Sequence, residues 1–381
     1  MQSVNRSRTR RWMLGAAAIA VAGLVDCGGQ PADQSPAYSG TPASEPSVPG
    51  TPGRWSGRTL TVAAYGGEVE RALRSLIWDP FERATGCRIL TYANDPAVIG
   101  TPVTVPAVDL VLADPVSTAR FISMGEGRAL DGERLPKGAV DAELARVGAT
   151  PAYAYALVSC CTRDTFPENR PPGDWRSWWN LDQFPGDRTM RRDPLGTLEI
   201  ALLADGVDIA ALYPLDIARA LASLARIADA VGPRWWTRAI EPVSWLSADR
   251  AALGVAWHHR VLEGQWQGMA VDLSWNQGIL ATDCWLLPAA AEEPDLAADL
   301  LAWTLSPEQQ ARFARETRLG PINPDAFTFI EPWLLDTLPT APPQVSSLAH
   351  LDGAWWAEHG AEAQAAMSAW LDDRLPASSP G

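Results

Sequence analysis

The sequence is short of basic residues and of histidine. Lysine and arginine together number 31 against 45 acidic residues, which gives a formal net charge of −14 over 381 residues. Because neutralising phosphates requires a basic face, this balance excludes a nucleic-acid-binding protein. Of the 4 histidines, His258 and His259 are adjacent, and His350 and His359 lie far along the chain. Adjacent histidines do not readily chelate one ion, so neither a metal nor another cofactor is expected.

Nucleotide-binding signatures and long apolar runs are also missing. No G-x-G-x-x-G or G-x-x-x-x-G-K pattern follows a predicted strand, which argues against a dinucleotide site and a P-loop. The apolar run Met13–Val25 has only 13 residues, too few to span a bilayer. What the chain does have is 47% hydrophobic and 20% charged residues, enough to bury a large core. At 381 residues, two domains are expected.

The N-terminal residues predict export. Basic residues precede the apolar run, and Thr9–Leu14 resembles a twin-arginine motif. Leu24–Cys27 resembles a lipobox, although Asp26 stands where a small residue is usual. We therefore expect residues 1–27 to be an export signal and the protein to be periplasmic or otherwise extracytoplasmic, anchored to the membrane by a lipid on Cys27. The alternative is an ordinary signal peptide in which Cys27 is incidental.

Residues 28–57 are mostly Gly, Pro, Ser and Thr without apolar periodicity. This composition is typical of a flexible linker, which behind a lipidated cysteine would hold a folded domain near a membrane. The alternative is a leader without function. The folded part is expected to begin at Arg58.

An alternation of strands and helices follows. Thr59–Tyr65 predicts a strand, the two glycines after it a turn, and Glu68–Arg83 a helix. Further along, Val108–Asp114 predicts a strand that a helix follows. This order predicts a mostly parallel α/β sheet with ligands at the carboxyl ends of its strands, where Tyr65 and Asp114 fall.

A series of motifs resembles one family of transport proteins. Seven segments show the resemblance, and in chain order they read LTVAAYGGEVERALRSLIWDPFERATGCRI, WRSWWNLDQFPGDR, TLEIALLADGV, WHHR, WNQG, DCW and RLGPINP. The set is similar to the extracellular solute-binding proteins of ABC importers, of the spermidine/putrescine-binding type. It covers Arg58 to about Trp370.

The resemblance implies the two-lobed type II periplasmic-binding-protein fold. Each lobe is then a mostly parallel α/β sheet with helices, and crossover strands join the lobes around a ligand cleft. Residues 58–157 are expected to form the first part of lobe 1 and residues 158–280 lobe 2. Residues 281–381 are expected to complete lobe 1 and to supply the C-terminal helices.

Carboxylates and aromatic walls suit a polyamine, since its ammonium groups gain charge-assisted hydrogen bonds and cation–π contacts. The resemblance places such groups on Asp193, Asp283 and Trp257, with Glu199 nearby. The full expected set of ligand-binding residues is Tyr65, Asp114, Asp193, Glu199, Trp257 and Asp283. For each a structural role is the alternative, such as a turn cap for Asp193 or core packing for Trp257.

The expected function is that of a solute receptor, not an enzyme, which binds a polyamine and delivers it to an ABC permease in the inner membrane. Pro194–Gly196 lacks an acid that the family often has, and Ala281 replaces an aromatic residue. Another small cationic or organic solute, thiamine-like or an amino-acid derivative, is therefore the alternative. A secreted glycosidase-like enzyme is a more distant one.

The cysteines suggest one further hypothesis. Cys160 and Cys161 lie on one predicted crossover strand and Cys284 on another. In an oxidising compartment, one of the pair could form a disulfide with Cys284.

Overall fold

The computed structural model of this protein describes residues 53–93, 108–163, 165–166 and 170–374. The predicted export signal, its Cys27 and most of the predicted linker lie outside the described residues. The end of that linker, residues 53–57, contacts the folded domain. The Trp55 backbone N donates to Thr85 O at 3.0 Å, and its indole Nε1 donates to Asp299 Oδ2 at 2.9 Å. The folded part thus begins before Arg58, because a buried carboxylate fixes the indole.

The described residues form an α/β structure. Its strands are β1 (Thr59–Ala64), β2 (Arg88–Ala93), β3 (Leu110–Ala113), β4 (Ala149–Thr162), β5 (Arg188–Arg191), β6 (Trp235–Trp236), β7 (Leu253–Trp257), β8 (Val271–Leu286) and β9 (Ala349–His350). Its α-helices are α1 (Gly67–Leu73), α2 (Asp79–Thr85), α3 (Pro115–Met124), α4 (Ala142–Arg146), α5 (Trp175–Trp178), α6 (Pro194–Ala204), α7 (Ile217–Ala225), α8 (Ala228–Val231), α9 (Glu241–Ser247), α10 (His258–Trp266), α11 (Pro294–Thr304), α12 (Pro307–Thr317), α13 (Pro332–Leu335), α14 (Pro342–Val345) and α15 (Gly353–Asp372). A π-helical segment over Arg74–Trp78 joins α1 to α2.

The strands follow the order β2-β1-β3-β8-β4-β7-β5-β6, with β9 beside β8. The first strand group, β1 to β3, is parallel, and so is the second strand group, β5 to β7. Between the groups lie the long strands β4 and β8, which pair antiparallel with each other and with their neighbours β7 and β3. The two groups therefore run in opposite directions, and their carboxyl ends face each other across β4 and β8.

The strand β8 differs from the sequence prediction. The pattern predicts two separate strands, over Met269–Leu273 and Asp283–Pro288, whereas the structure has one strand of 16 residues. Ser159 pairs with Ser274 but Leu157 pairs with Ile279, so residues 275–278 bulge out of the ladder. This bulge breaks the apolar alternation, and only the pairing with β4 makes the strand continuous.

The register of these strands also contradicts the proposed disulfide. Cys284 pairs with a β3 residue on one side and with Pro151 on the other, whereas Cys160 pairs with Leu273. Nine residues of extended strand separate positions 151 and 160, about 30 Å. The disulfide hypothesis is therefore wrong, and none of the cysteines in the described ranges is bonded to another.

Most tryptophans pack in the core. The bulkiest fully buried side chains include Trp78, Trp175, Trp178, Trp236, Trp285 and Trp303. The last helix, α15, adds Trp356 and Trp370 to the core under the second strand group, and it packs on α3, α6 and α7. Among the described residues, no helix is both long and apolar enough to cross a membrane.

Candidate functional site

Two predicted residues follow neighbouring parallel strands. Tyr65 comes directly after β1, and Asp114 directly after β3. Gly66 and Gly67 turn the chain behind Tyr65 with φ of 76° and 68°, values that glycine adopts without strain. Asp114 caps α3, since its Oδ1 accepts from the backbone N of Val116 at 2.8 Å. Both side chains thus lie at the carboxyl edge of the first strand group.

Asp283 lies beside this edge on β8, next to the end of β3. Its side chain is 4% exposed, and its Oδ2 accepts from the Tyr153 hydroxyl at 2.8 Å. Among the described residues, its Oδ1 and the hydroxyl of Tyr65 are buried without a hydrogen-bond partner. Buried polar atoms normally have partners, so a carboxylate oxygen and a phenol left without one mark a place where a ligand donor fits.

The electrostatics of this cluster follow from burial. Burial raises the pKa of Asp283 to about 7, and the charge of Asp114 acts in the same direction; the hydroxyls of Tyr153 and Tyr155 oppose the shift. Burial and the charge of Asp283 also raise the pKa of Tyr65 and Tyr155. The tyrosines are therefore neutral, whereas Asp283 titrates near neutral pH.

The second strand group ends in a different set of side chains. Arg191, Trp236 and Trp257 close the adjacent parallel strands β5, β6 and β7. The guanidinium carbon of Arg191 lies 5.1 Å from the ring centre of Trp257 and 5.8 Å from that of Trp236. Tyr155 packs edge-on against Trp257 at 5.3 Å, and the charge of Arg191 lowers the pKa of Tyr155 against the larger effect of burial. This end of the cleft is therefore aromatic and carries the Arg191 guanidinium.

The two sets of strand ends face each other at a measurable spacing. The end of β3 lies level with Pro151 of β4, and the end of β7 lies level with Leu157. Six residues from 151 to 157 span about 20 Å of strand. Between these levels lie Tyr153, Tyr155 and Asp283, which form the floor.

Asp193 lies beside Arg191, and one oxygen of its half-exposed carboxylate is already engaged. Its Oδ1 accepts from the Leu195 backbone N at 2.9 Å and caps α6. The same oxygen lies 3.4 Å from Arg191 Nη1. These contacts fit the alternative to ligand binding, in which Asp193 caps the turn before Pro194.

Glu199 is fully buried and bonded within the protein. Its Oε2 accepts from Gly196 N at 2.8 Å, and its Oε1 accepts from the Tyr213 hydroxyl and from Trp356 Nε1, both at 2.6 Å. The structure does not bring Glu199 to the cluster around Asp283. It lies behind the turn that carries Leu195.

An ion pair connects the helices that follow the two strand groups. Arg260 Nη1, in α10, lies 2.5 Å from Glu68 Oε2 in α1 and 2.8 Å from Glu263 Oε2 in its own helix. Since α1 follows Tyr65 and α10 follows Trp257, this pair joins the two sides of the cleft.

Sequence reasoning missed Arg191. It favoured core packing for Tyr153 and Tyr155, and the structure confirms that packing, although Tyr153 also reaches Asp283 with its hydroxyl. The signal for Arg191 was its place at the end of a short strand, two residues before Asp193. The signal for the tyrosines was their spacing of two on a strand, which puts both on one face. Neither signal says what that face contacts, since the opposing strand comes from a distant part of the sequence.

Within the part of the chain that the structure describes, no group of three His, Cys, Asp or Glu is arranged to bind a metal ion. The arrangement can bind and orient a solute by charge, hydrogen bonds and aromatic contact.

Known proteins resemble this chain over most of its length. The sequence model of the bacterial extracellular solute-binding protein family matches residues 102–343. The gamma-aminobutyric acid-binding protein of Pseudomonas aeruginosa is 27% identical over 324 residues, which are 82% of this chain and 91% of that protein.

Solved structures agree with this similarity. An ABC transporter substrate-binding protein from Bradyrhizobium japonicum USDA 110 is 28% identical with a TM-score of 0.75, over 83% of this chain and 100% of that one. The Atu4243-GABA receptor is 25% identical with a TM-score of 0.73, over 84% of this chain and 100% of that one. These similarities confirm the predicted α/β fold class.

Proposed function

This chain belongs to the bacterial extracellular solute-binding protein family, and on that premise we propose that it binds a small solute with an ammonium group at one end and a carboxylate at the other. Gamma-aminobutyric acid (GABA) is the model for this class. As a solute receptor of an ABC importer, the protein delivers its ligand to a membrane permease. The observation that carries the proposal is the placement of Asp283 and Arg191 at opposite ends of one cleft floor.

The ammonium group is proposed to lie between Asp283 and Tyr65. In the described structure, Asp283 Oδ1 and the Tyr65 hydroxyl have no hydrogen-bond partner, and an ammonium group brings donors for both. A buried carboxylate is costly without a counter-charge, so ligand and site satisfy each other. The charge of Asp114 favours a cation at the same place.

The carboxylate is proposed to bind Arg191. Guanidinium presents a planar fork of donors that matches a carboxylate in a bidentate way. Arg191 Nη1 donates to Leu195 O at 2.6 Å, which fixes one side of the fork. Stacking on Trp257 orients its plane. The charges of Asp283 and Arg191 both affect the pKa of Tyr155, so Tyr155 is proposed to lie between the two ends of the ligand.

A polyamine or another purely cationic solute is the second candidate, and the acidic pair Asp283 and Asp114 favours it. Spermidine or putrescine would need a second free carboxylate at the far end of the cleft. There Asp193 uses Oδ1 both to pair with Arg191 and to cap α6, while its side chain stays half-exposed. Arg191 would repel an ammonium group, so the amino-acid derivative is the better supported ligand.

Titration of the mature domain with a ligand panel tests the choice. The panel contains GABA, putrescine, spermidine and thiamine, together with butylamine and butyrate, which each keep only one charged end of GABA. We expect calorimetry and thermal shift to show GABA-like ligands binding at least roughly tenfold more tightly than either half-ligand, since each end contributes a charged contact. Binding of putrescine or spermidine with no response to GABA would reject the amino-acid ligand in favour of a polyamine.

We also propose that the two strand groups are the two lobes of the receptor. The predicted boundaries, at residues 157/158 and 280/281, fall close to the register shift between Leu157 and Ser159 on β4 and to the bulge over residues 275–278 on β8. Hinges are places where a few residues absorb changes in φ and ψ. The bulge on β8, which faces Val158 of β4, supports a hinge there.

Export and anchoring belong to the same proposal. The family is extracellular by description, and the sequence before residue 53 carries the twin-arginine-like motif and the lipobox-like Cys27. We propose that the mature protein is a lipoprotein held to the membrane through Cys27 and the linker.

A further inference from the structure

Glu199 is a buried carboxylate that the proposed ligand does not use. It is 0% exposed, and it lies on α6 behind the turn that follows Arg191. Burying a carboxylate is costly unless several donors surround it. Those donors come from Gly196 on one side and from Tyr213 and Trp356 on the other. Glu199 therefore links a backbone turn at the cleft to more distant parts of the protein.

On the cleft side, the link runs from Glu199 to Arg191 through the turn backbone. Glu199 Oε2 accepts from Gly196 N at 2.8 Å, and the preceding carbonyl, Leu195 O, accepts from Arg191 Nη1 at 2.6 Å. Gly196 has φ of 83°, and a Cβ there would lie 2.7 Å from Leu157 Cδ2. The turn is therefore held between Leu157 and Glu199, with its carbonyl directed at the guanidinium.

On the other side, the link runs to the C-terminal helix. Glu199 Oε1 accepts from Trp356 Nε1 and from the Tyr213 hydroxyl, both at 2.6 Å. Trp356 lies on the first turn of α15, next to Gly353, whose backbone packs closely on Pro115 O at the start of α3. The start of α15 thus contacts the turn of α6 behind Arg191 and the helix that Asp114 caps.

We propose that Glu199 is a positioning residue for Arg191, and that Trp356 makes the C-terminal helix a determinant of ligand affinity by holding Glu199 in place. The inference rests on the proposed function, in which Arg191 binds the ligand carboxylate. Loss of a donor to Glu199 frees the turn, withdraws the Leu195 carbonyl and lets the guanidinium leave the orientation set by Trp257. Affinity for a carboxylate falls, while the ammonium end keeps its contacts.

The test compares two tryptophans of the same helix. Trp356→Phe removes the donor to Glu199. Trp370→Phe makes the same substitution in the same core, at a tryptophan that contacts Trp235 and not Glu199. Tyr213→Phe removes the other donor with the loss of one oxygen atom. We expect Trp356→Phe and Tyr213→Phe to weaken GABA binding about fivefold or more and to leave butylamine binding unchanged. Trp370→Phe should change neither the GABA affinity nor the butylamine affinity. Its melting temperature should nevertheless fall about as much as that of Trp356→Phe.

Amide exchange gives a readout that needs no ligand. In the ligand-free protein, the amides of residues 195–197 should exchange faster in Trp356→Phe and Tyr213→Phe than in wild type or Trp370→Phe. Unchanged exchange in both variants overturns the inference, as does an equal loss of GABA and butylamine affinity. If wild type fails to bind GABA, the proposed function fails, and the exchange experiment still decides whether Glu199 holds the turn.

Discussion

At the scale of single residues, we expect the buried carboxylate of Asp283 to make ligand binding depend on pH. Its pKa is raised to about 7, so near neutral pH it is partly protonated in the empty protein. An ammonium ligand prefers the ionised form. We expect the affinity for GABA to rise as pH increases through 7, by roughly tenfold between about pH 6 and about pH 8, as the ionised fraction rises.

The stability of the ligand-free protein should change in the opposite direction. A carboxyl whose pKa is higher in the folded than in the unfolded state binds more protons when folded, so its contribution is fully present below the unfolded pKa of about 4 and is lost as pH rises from there through about 7. Asp283→Asn removes the titration. Calorimetry and melting curves across this pH range should show a flat affinity profile for the variant, at least roughly tenfold weaker binding than wild type at about pH 8, and a smaller loss of stability with pH. A variant that keeps the wild-type pH profile would contradict this role.

At the scale of elements, the ion pair between α1 and α10 should favour the closed arrangement of the cleft. Arg260 and Glu68 connect the helix after β1 to the helix after β7. The Glu68 side chain is 52% exposed, and a pair of this kind is worth only about 0.2–1 kcal/mol. Glu68→Gln should therefore weaken GABA binding modestly, by up to about fivefold, and high salt should weaken wild type toward the variant.

The matched control for Glu68→Gln is Glu263, which also contacts Arg260. Glu263 contacts Arg260 within α10, three residues away, and does not join the two strand groups. Glu263→Gln removes the same charge from the same partner and should leave the affinity within about twofold of wild type. Equal effects of the two substitutions in calorimetric titrations would show that the contact between helices has no special role.

At the scale of the whole molecule, we expect Cys27 to decide whether the protein is free or attached to the membrane. The full-length chain, expressed in a bacterium that processes lipoproteins, should partition into the detergent phase and carry a lipid detectable by mass spectrometry. Cys27→Ala should appear in the aqueous phase with unchanged GABA affinity, because Cys27 is not among the proposed ligand-binding residues. If the wild type also appears in the aqueous phase, the alternative of an ordinary signal peptide is correct.

Local patterns predicted much of the fold. The strand before Tyr65, the glycine turn behind it and the strand Leu253–Trp257 are visible as runs of suitable residues. The continuity of β8 is not visible in the sequence, because residues 275–278 interrupt the alternation of apolar residues. Only pairing with β4 holds the two parts of the strand together. The disulfide hypothesis failed for the same reason, since register is a property of paired strands and not of one segment.

For the site, the sequence by itself determined which residues stand at strand ends and which motifs the chain shares with a receptor family. Tyr65, Asp114, Trp257 and Asp283 could be named in this way. Only the tertiary structure decided how each acid is placed: Asp193 is half-exposed and caps its own helix through Oδ1, Glu199 is buried with donors on both oxygens, and Asp283 is buried with one oxygen open. It also placed Arg191 opposite Asp283, because hydrogen-bond partners and facing charges come from residues distant in sequence that packing brings together.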